Sequence, residues 1–266
     1  MNRVPEPRDI PVVIFCGGYG TRIREVSESL PKPMIDVGGQ PVLWHIMKID
    51  GHYGFRRFVL CLGYRGNVVK EYFLNYRRYL SDFTVSLATS DPPLFHSYPS
   101  PDDWEVTCVE TGLDALTGGR LSRVRKYLDS DTFCLTCGDG LADLNLPAQL
   151  ETHRLHGNIG TVTAVHPTSR FGELSLEGHK VGAFTEKPML SRGYVNGGYF
   201  FFQREFLDYV DDDSPMIEED PIQKLTDDGQ LGYYVHDGFW RGMDTYREYV
   251  ELNRLWSDDV VPWKVW

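Results

Sequence analysis

Residues 10–16 read IPVVIFC, a β-branched apolar run that ends on Gly17 and Gly18. A run that is apolar at successive positions, rather than at every second one, fits a strand buried on both faces of a sheet. The next stretch, residues 41–55, has Pro41 in a first helical turn and Leu43, Ile46, Met47 and Ile49 at helical spacing. Residues 58–64, FVLCLGY, then supply a second strand. Strand, helix and strand in this order form a parallel crossover unit, which commits the chain to an α/β fold.

The alternation continues. Strands are expected at 82–88, 104–110, 132–139, 159–165, 172–178, 180–187, 196–202 and 231–237, and helices at 67–80, 118–128, 146–157, 205–210, 217–228 and 245–256. Residues 159–187 are strand-rich with no helix between, which predicts an antiparallel β insertion in a mainly parallel, Rossmann-like sheet flanked by helices. Pro92, Pro93, Pro99 and Pro101 mark an excursion or mobile loop. Asp211, Asp212 and Asp213 read as a solvated turn, because adjacent side chains point apart. One domain is expected over 1–266.

Charge and cysteine usage narrow the function. The formal charge of −11 argues against nucleic acid or an acidic membrane as a partner. Short-range screening still lets a local cluster of Arg and Lys hold a small anion. No apolar stretch reaches the ~18 residues of a membrane helix, and residues 1–10 lack the apolar centre of a secretory signal, so a cytoplasmic protein is expected. Cys16, Cys61, Cys108, Cys134 and Cys137 are odd in number and mostly sit in apolar runs, which predicts reduced cysteines. Cys134 and Cys137 form a CxxC with no second pair or histidines placed for zinc.

Such an anion site is predicted directly after the first strand. Gly17, Gly18 and Gly20 let backbone N–H groups approach an anion, Thr21 adds a hydroxyl, and Arg22 a planar charged fork. Lys32, between Pro31 and Pro33, sits on a stiffened stretch that can return a charge to the same loop. The pattern is not a Walker loop, which needs Lys beside its last Gly. It is not a dinucleotide fingerprint either, since the second strand ends in CLGY without an acid.

The spacing GGxGTR, eight residues, then PKP resembles that of the sugar-1-phosphate nucleotidyltransferases. Further matching stretches are LPKPMIDVGGQPVLWHIMKIDGHYGF, LGYRGNVVKEYF, TGLDALTGGRLSRV, FGELSLEG, EKP followed by VNGGYFFF, and HDGFWRGMDTYREY. Within that family the likeness is strongest to members that use CTP and glucose 1-phosphate. The resemblance implies a nucleotide-binding half at 9–140, with a mobile or oligomer-contact insertion near 64–108, and a sugar-phosphate-binding half at 141–266. It also implies a homo-oligomer.

The implied reaction is attack of a sugar 1-phosphate on the α-phosphorus of a nucleoside triphosphate. A phosphate monoester has its second pKa at about 6, so the nucleophile needs no general base. Catalysis is alignment plus neutralisation by cations and Mg2+. By resemblance, Asp139 and Asp244 bind the metal, Lys187 holds the sugar phosphate with Glu186 beside it for hydroxyls, and Asn196 and Gly197 border the sugar. Thr111 and Gly112 lie where the chain passes the nucleobase.

Each residue also has a plainer reading. Asp139 can be a turn former before Gly140, and Asp244 the cap of the next helix. Lys187 can be a solvated strand end, and Asn196, Gly197 and Gly198 a bulge or hairpin turn. Arg120, behind Gly118 and Gly119, reads either as a triphosphate contact or as a helix-surface arginine, and Arg24 as a support for Arg22 or a solvated side chain. His45 and His52 read as packed or surface histidines. The chain departs from the family pattern at Arg241 and Gly242, where a Gln-Pro type pair is common, and in MLSRGY after Pro188. Both changes bear on the sugar more than on the reaction. Other triphosphates (UTP or dTTP), another sugar or phosphorylated acceptor, or a non-catalytic sensor are the alternatives.

Overall fold

The computed structural model describes residues 5–20, 23, 30–96, 102–167, 173–177, 180–185 and 193–266. Its strands and α-helices, in chain order, are β1 (Pro11–Phe15), β2 (Asp36–Val37), β3 (Gln40–Pro41), α1 (Val42–His52), β4 (Arg57–Leu62), α2 (Gly66–Tyr79), β5 (Phe83–Thr84), β6 (Leu94–Phe95), β7 (Glu105–Glu110) and α3 (Thr117–Val124). They continue as β8 (Thr132–Cys137), β9 (Gly140–Ala142), α4 (Leu146–His156), β10 (Gly160–Val165), β11 (Glu173–Glu177), β12 (Lys180–Thr185), β13 (Val195–Gln203), α5 (Pro221–Asp227), β14 (Leu231–His236), β15 (Trp240–Gly242) and α6 (Tyr246–Ser257).

A seven-stranded sheet in the order β14-β10-β13-β8-β1-β4-β7 forms the frame. β8, β1, β4 and β7 pair in parallel, as do β10 and β14, and β13 runs antiparallel between β8 and β10. The buried run of β1 explains its central place. Val12 and Ile14 enter one core with residues of α1, α2, α4 and α6, while Val13 and Phe15 enter a second core with residues of α3 and α5. β11 and β12 pair antiparallel as a separate hairpin, matching the expected insertion.

Three elements differ from the sequence pattern. Of residues 82–88, only β5 pairs, with β6, and Leu87 is 96% exposed. An unpartnered strand leaves its backbone groups to water, and Pro92 and Pro93 cannot donate to a ladder. α5 begins at Pro221, not at Ile217, since a proline's missing N–H is tolerated only in a first turn. Residues 204–209 wind as a 3-10 helix, in which Phe206 and Tyr209 share one side with ring centroids 6.0 Å apart. The turn at Asp211 forms as expected, with Ser214 N–H donating to its carbonyl at 3.2 Å. All five cysteines are free thiols.

α1 carries an anomaly. Asp50 is fully buried, and neither carboxylate oxygen has a hydrogen-bond partner among the described residues. Burial pushes its pKa up to about 8. A folded-state pKa above the unfolded value of 3.8 gives stability that is complete below that value and is lost as pH rises through about 8. Asp50→Asn carries no ionisable group, so its unfolding midpoint is expected to exceed that of the unsubstituted protein by about 3–6 °C at pH 8. The gain should shrink toward pH 5. Thermal melts across this range check it, and equal midpoints at pH 8 would contradict it.

Candidate active site

The parallel strands β1 and β8 end side by side, where open α/β sheets receive ligands. A cleft of about 340 Å³ lies there, lined by the glycine turn 17–20, Lys32, residues 113–117, Arg120, Asp139 and Met216. Tyr19 Oη donates to Asp114 Oδ1 at 2.9 Å, joining the two walls.

Lys32 reaches the mouth of this cleft because the chain around it is fixed. Pro31 precedes a 3-10 turn, Lys32–Met34, whose Pro33 and Met34 are buried. Asp139 sits in the turn between β8 and β9, so its plainer reading as a turn residue also holds. β9 pairs with β15, placing Gly140 opposite Gly242, and Met243 N–H donates to Asp139 O at 2.9 Å. That pairing carries Asp244 to Asp139. Thr245, not Asp244, caps α6: its hydroxyl accepts from Glu248 N–H at 3.4 Å, and Glu248 Oε2 accepts from Thr245 N–H at 2.8 Å.

The result is a three-charge cluster. Lys32 Nζ donates to Asp139 Oδ2 at 2.5 Å and to Asp244 Oδ1 at 2.8 Å. The Lys32 side chain is 14% exposed and the two carboxylates 30% and 36%. Burial works against the ammonium charge, but Asp139 and then Asp244 outweigh it and hold the Lys32 pKa above the usual lysine value. Two carboxylates meeting one cation at hydrogen-bond range can also meet a divalent ion.

The other expected residues fall in different places. Gly17 and Gly20 lie in the turn, and a Cβ on Gly17 would sit 2.1 Å from the Arg120 guanidinium. Arg120 is 4% exposed, which overturns its reading as a helix-surface arginine. Its Nη atoms donate to protein oxygens, including Gly17 O at 3.0 Å and Gly112 O at 2.9 Å, so the guanidinium ties together loops of the cleft that it also lines. The Thr111 hydroxyl is likewise buried, donating to Leu62 O at 2.6 Å.

Asn196 sits at the start of β13, on the same sheet edge as Asp139. Its Oδ1 accepts from Gly198 N–H at 2.8 Å, Gly198 takes φ +76°, and the register with β10 shifts here, which fits the bulge reading. Gly197 O accepts from Trp240 Nε1 at 2.8 Å. Arg241 is tied to Glu251 of α6 at 3.0 Å. His45 is packed in the core. Thr21, Arg22, Arg24, Glu186, Lys187 and residues 188–192 lie outside the described residues.

Sequence reasoning missed Tyr199 and Trp240. Tyr199 is buried and donates from its hydroxyl to Gly140 O at 2.9 Å, steadying the residue next to Asp139. A tyrosine within an aromatic strand run gives no sign of that contact. The Thr245/Glu248 box, in contrast, follows the spacing S/T-x-x-E and was open to detection.

A family described as nucleotidyl transferase matches residues 11–258. The glucose-1-phosphate cytidylyltransferase of Salmonella typhi is 42% identical over 255 residues, covering 96% of this chain and 98% of that protein. Mannose-1-phosphate guanylyltransferase 1 of Arabidopsis thaliana is 28% identical, covering 93% of this chain and 65% of that protein. The crystal structure of HddC from Yersinia pseudotuberculosis complexed with GMP-PN superposes with a TM-score of 0.69 at 22% identity, covering 93% of this chain and 99% of that one, and so shares the fold.

Proposed function

The chain belongs to the nucleotidyl transferase family, and on that footing we propose that it joins CTP to glucose 1-phosphate, forming CDP-glucose and pyrophosphate. The observation that carries this reading is the contact of Lys32 with both Asp139 and Asp244 at the mouth of a glycine-lined cleft. The choice of CTP and glucose rests on the likeness to the Salmonella typhi enzyme.

An oxygen of the sugar phosphate bonds to the α-phosphorus, and the bond from that phosphorus to the bridging oxygen breaks. Pyrophosphate leaves with the electron pair. The attacking phosphate is largely dianionic at pH 7, so no side chain must remove a proton. Repulsion between two anions is the barrier, and the site answers it with fixed charge and alignment. Lys32 supplies a cation whose position is set by Pro31, Pro33 and two carboxylates. The glycine turn offers N–H groups to the triphosphate, and Arg22 joins it there. Lys187 holds the sugar phosphate, with Glu186 and Asn196 toward the sugar.

Magnesium suits the donor set. It takes oxygen ligands, and one or two carboxylates suffice when phosphates and waters complete its shell. Asp139 and Asp244 would hold it. Among the described residues no three His, Cys, Asp or Glu side chains converge as an alternative centre. Bound there, the ion would neutralise charge on the reacting phosphates. Chelation with excess EDTA should therefore abolish turnover and added Mg2+ restore it, measured as pyrophosphate release. Full activity in EDTA would contradict the metal assignment.

Pyrophosphate release across CTP, UTP, dTTP and GTP with a panel of sugar 1-phosphates tests the substrates. The highest kcat/KM is expected for CTP with glucose 1-phosphate. A higher value for another pair would overturn the choice of substrates, and no release with any pair would favour the sensor reading.

A further inference from the structure

We propose that Asn253 of α6 is a positioning residue of the reaction centre, holding the β2–β3 hairpin so that Lys32 meets Asp139 and Asp244. The inference rests on the reading of that three-charge cluster as the catalytic centre.

α6 is already tied to the two carboxylates. Glu248 Oε2 accepts from the N–H groups of Asp244 and Thr245, each at 2.8 Å. Glu251 Oε1 accepts from Arg241 Nη2 at 3.0 Å, which pins β15, and Gly242 of that strand lies opposite Gly140, next to Asp139. Both acids therefore take their places from this helix.

Asn253 makes the third tie. It lies about 13 Å along α6 from Asp244, at a rise of about 1.5 Å per residue. Its Oδ1 accepts from Gly38 N–H at 3.0 Å, and its Nδ2 donates to Asp36 O at 3.3 Å and to Tyr249 O at 3.0 Å. Both amide hydrogens and the carbonyl oxygen are in use. The hairpin fits closely against the helix here, since Gly38 takes φ +61° and a Cβ on it would lie 2.2 Å from Trp256. Asparagine is a weak helix former in a helix interior, so the helix itself has no use for it at this position.

The path from Asp36 back to Lys32 is short and stiff. Pro33, Met34 and Ile35 are buried, and Ile35 N–H donates to Lys32 O at 3.1 Å. A shift of β2 is therefore passed on to Lys32. Lys32, Asp36, Asn253 and Asp244 close a ring in which α6 is the rigid side. α1 holds the hairpin from its other side, with His45 Nε2 2.8 Å from Val37 O, so losing the Asn253 tie loosens the hairpin without unfolding it.

Asn253→Ala removes the tie. Trace acetylation at pH 8, read by mass spectrometry, should label Lys32 about 3–10-fold faster than in the unsubstituted protein, equivalent to about half to one pKa unit lost from its ammonium. Lys126, an exposed lysine just after α3, should label at an unchanged rate. Asn253→Asp keeps an acceptor for Gly38 N–H but loses the donor to Asp36 O. It should give a smaller rise at Lys32, and it decides if the alanine variant does not fold. In pyrophosphate release, Asn253→Ala should lower kcat about 5–20-fold with both KM values within about 2-fold, the pattern for misalignment felt in the transition state. In a Lys32→Ala background the same substitution should change kcat by less than about 2-fold, because it acts through that lysine.

Unchanged labelling of Lys32 in the folded variant would overturn the proposal. So would an equal rise at Lys126, which would mean general loosening, or a kcat loss that persists in full without Lys32. The labelling needs no substrate. A protein that releases no pyrophosphate would remove the proposed function, while the labelling still decides whether Asn253 holds Lys32.

Discussion

Lys32→Ala is expected to lower kcat for pyrophosphate release by about 10²–10³-fold, and Asp139→Ala to do the same, the scale for losing one preorganised electrostatic partner. Lys32 is held at its site by two carboxylates and two flanking prolines, so its charge is in place before any ligand arrives. An alanine leaves the Asp139 and Asp244 carboxylates facing each other and the incoming anions without the fixed cation. Removing Asp139 takes away a proposed metal ligand and one anchor of Lys32 together. The three residues act as one cluster, so the double variant should lose less than the product of the two single losses. Thermal melts of each variant separate lost chemistry from lost fold. A kcat within about 3-fold of the unsubstituted value in both folded single variants would contradict the roles assigned here.

Trp263→Ala should cost about 3–5 kcal/mol of stability, the range for truncating a large buried aromatic side chain. Trp263 is fully buried, stacks on Phe239 with centroids 5.6 Å apart, and donates from Nε1 to His45 Nδ1 at 3.3 Å. His45 Nε2 in turn lies 2.8 Å from Val37 O. The two contacts define one neutral tautomer, in which Nε2–H donates to the carbonyl and Nδ1 accepts from the indole.

Burial pushes the His45 pKa down to about 4 from 6.5. A histidine held neutral in the fold gives stability that is complete above about pH 6.5 and is lost as pH falls toward about 4, because the unfolded chain takes up the proton first. His153, also pushed down to about 4 by burial, adds to the same trend. Removing the indole should lower the unfolding midpoint by about 10 °C at pH 7. It should also weaken the loss of stability between pH 6.5 and 4, since a hydrated His45 regains an ordinary pKa. Melts at several pH values read both effects. A shift under about 2 °C would contradict the packing argument.

The sheet was legible because its strands advertise themselves. β1, buried at every position, and the helical spacing of α1 leave few ways to assemble a parallel crossover. β5 was overread because an apolar alternating segment looks the same whether or not a partner strand exists. The individual site residues Lys32, Asp139 and Asp244 stood out in their motifs, but their meeting did not. Lys32 lies 107 positions from Asp139 and 212 from Asp244, and the three-residue strands β9 and β15 that join the carboxylates are too short to carry a pattern.

The burial of Arg120 was not legible for a related reason. Its position on a helix after two glycines says nothing about the carbonyls that converge on it from β1, β4 and the loop after β7. The S/T-x-x-E spacing of Thr245 and Glu248 marks Thr245, not Asp244, as the cap of α6.

Diffraction at the manganese edge, from crystals grown with Mn2+ and a non-hydrolysable CTP analogue, tests most directly whether the carboxylate pair and Lys32 serve the phosphates together. The anomalous peak is expected between Asp139 and Asp244, with Lys32 Nζ turned onto a phosphate oxygen. A peak elsewhere, or a nucleotide bound outside the glycine-lined cleft, would contradict the account.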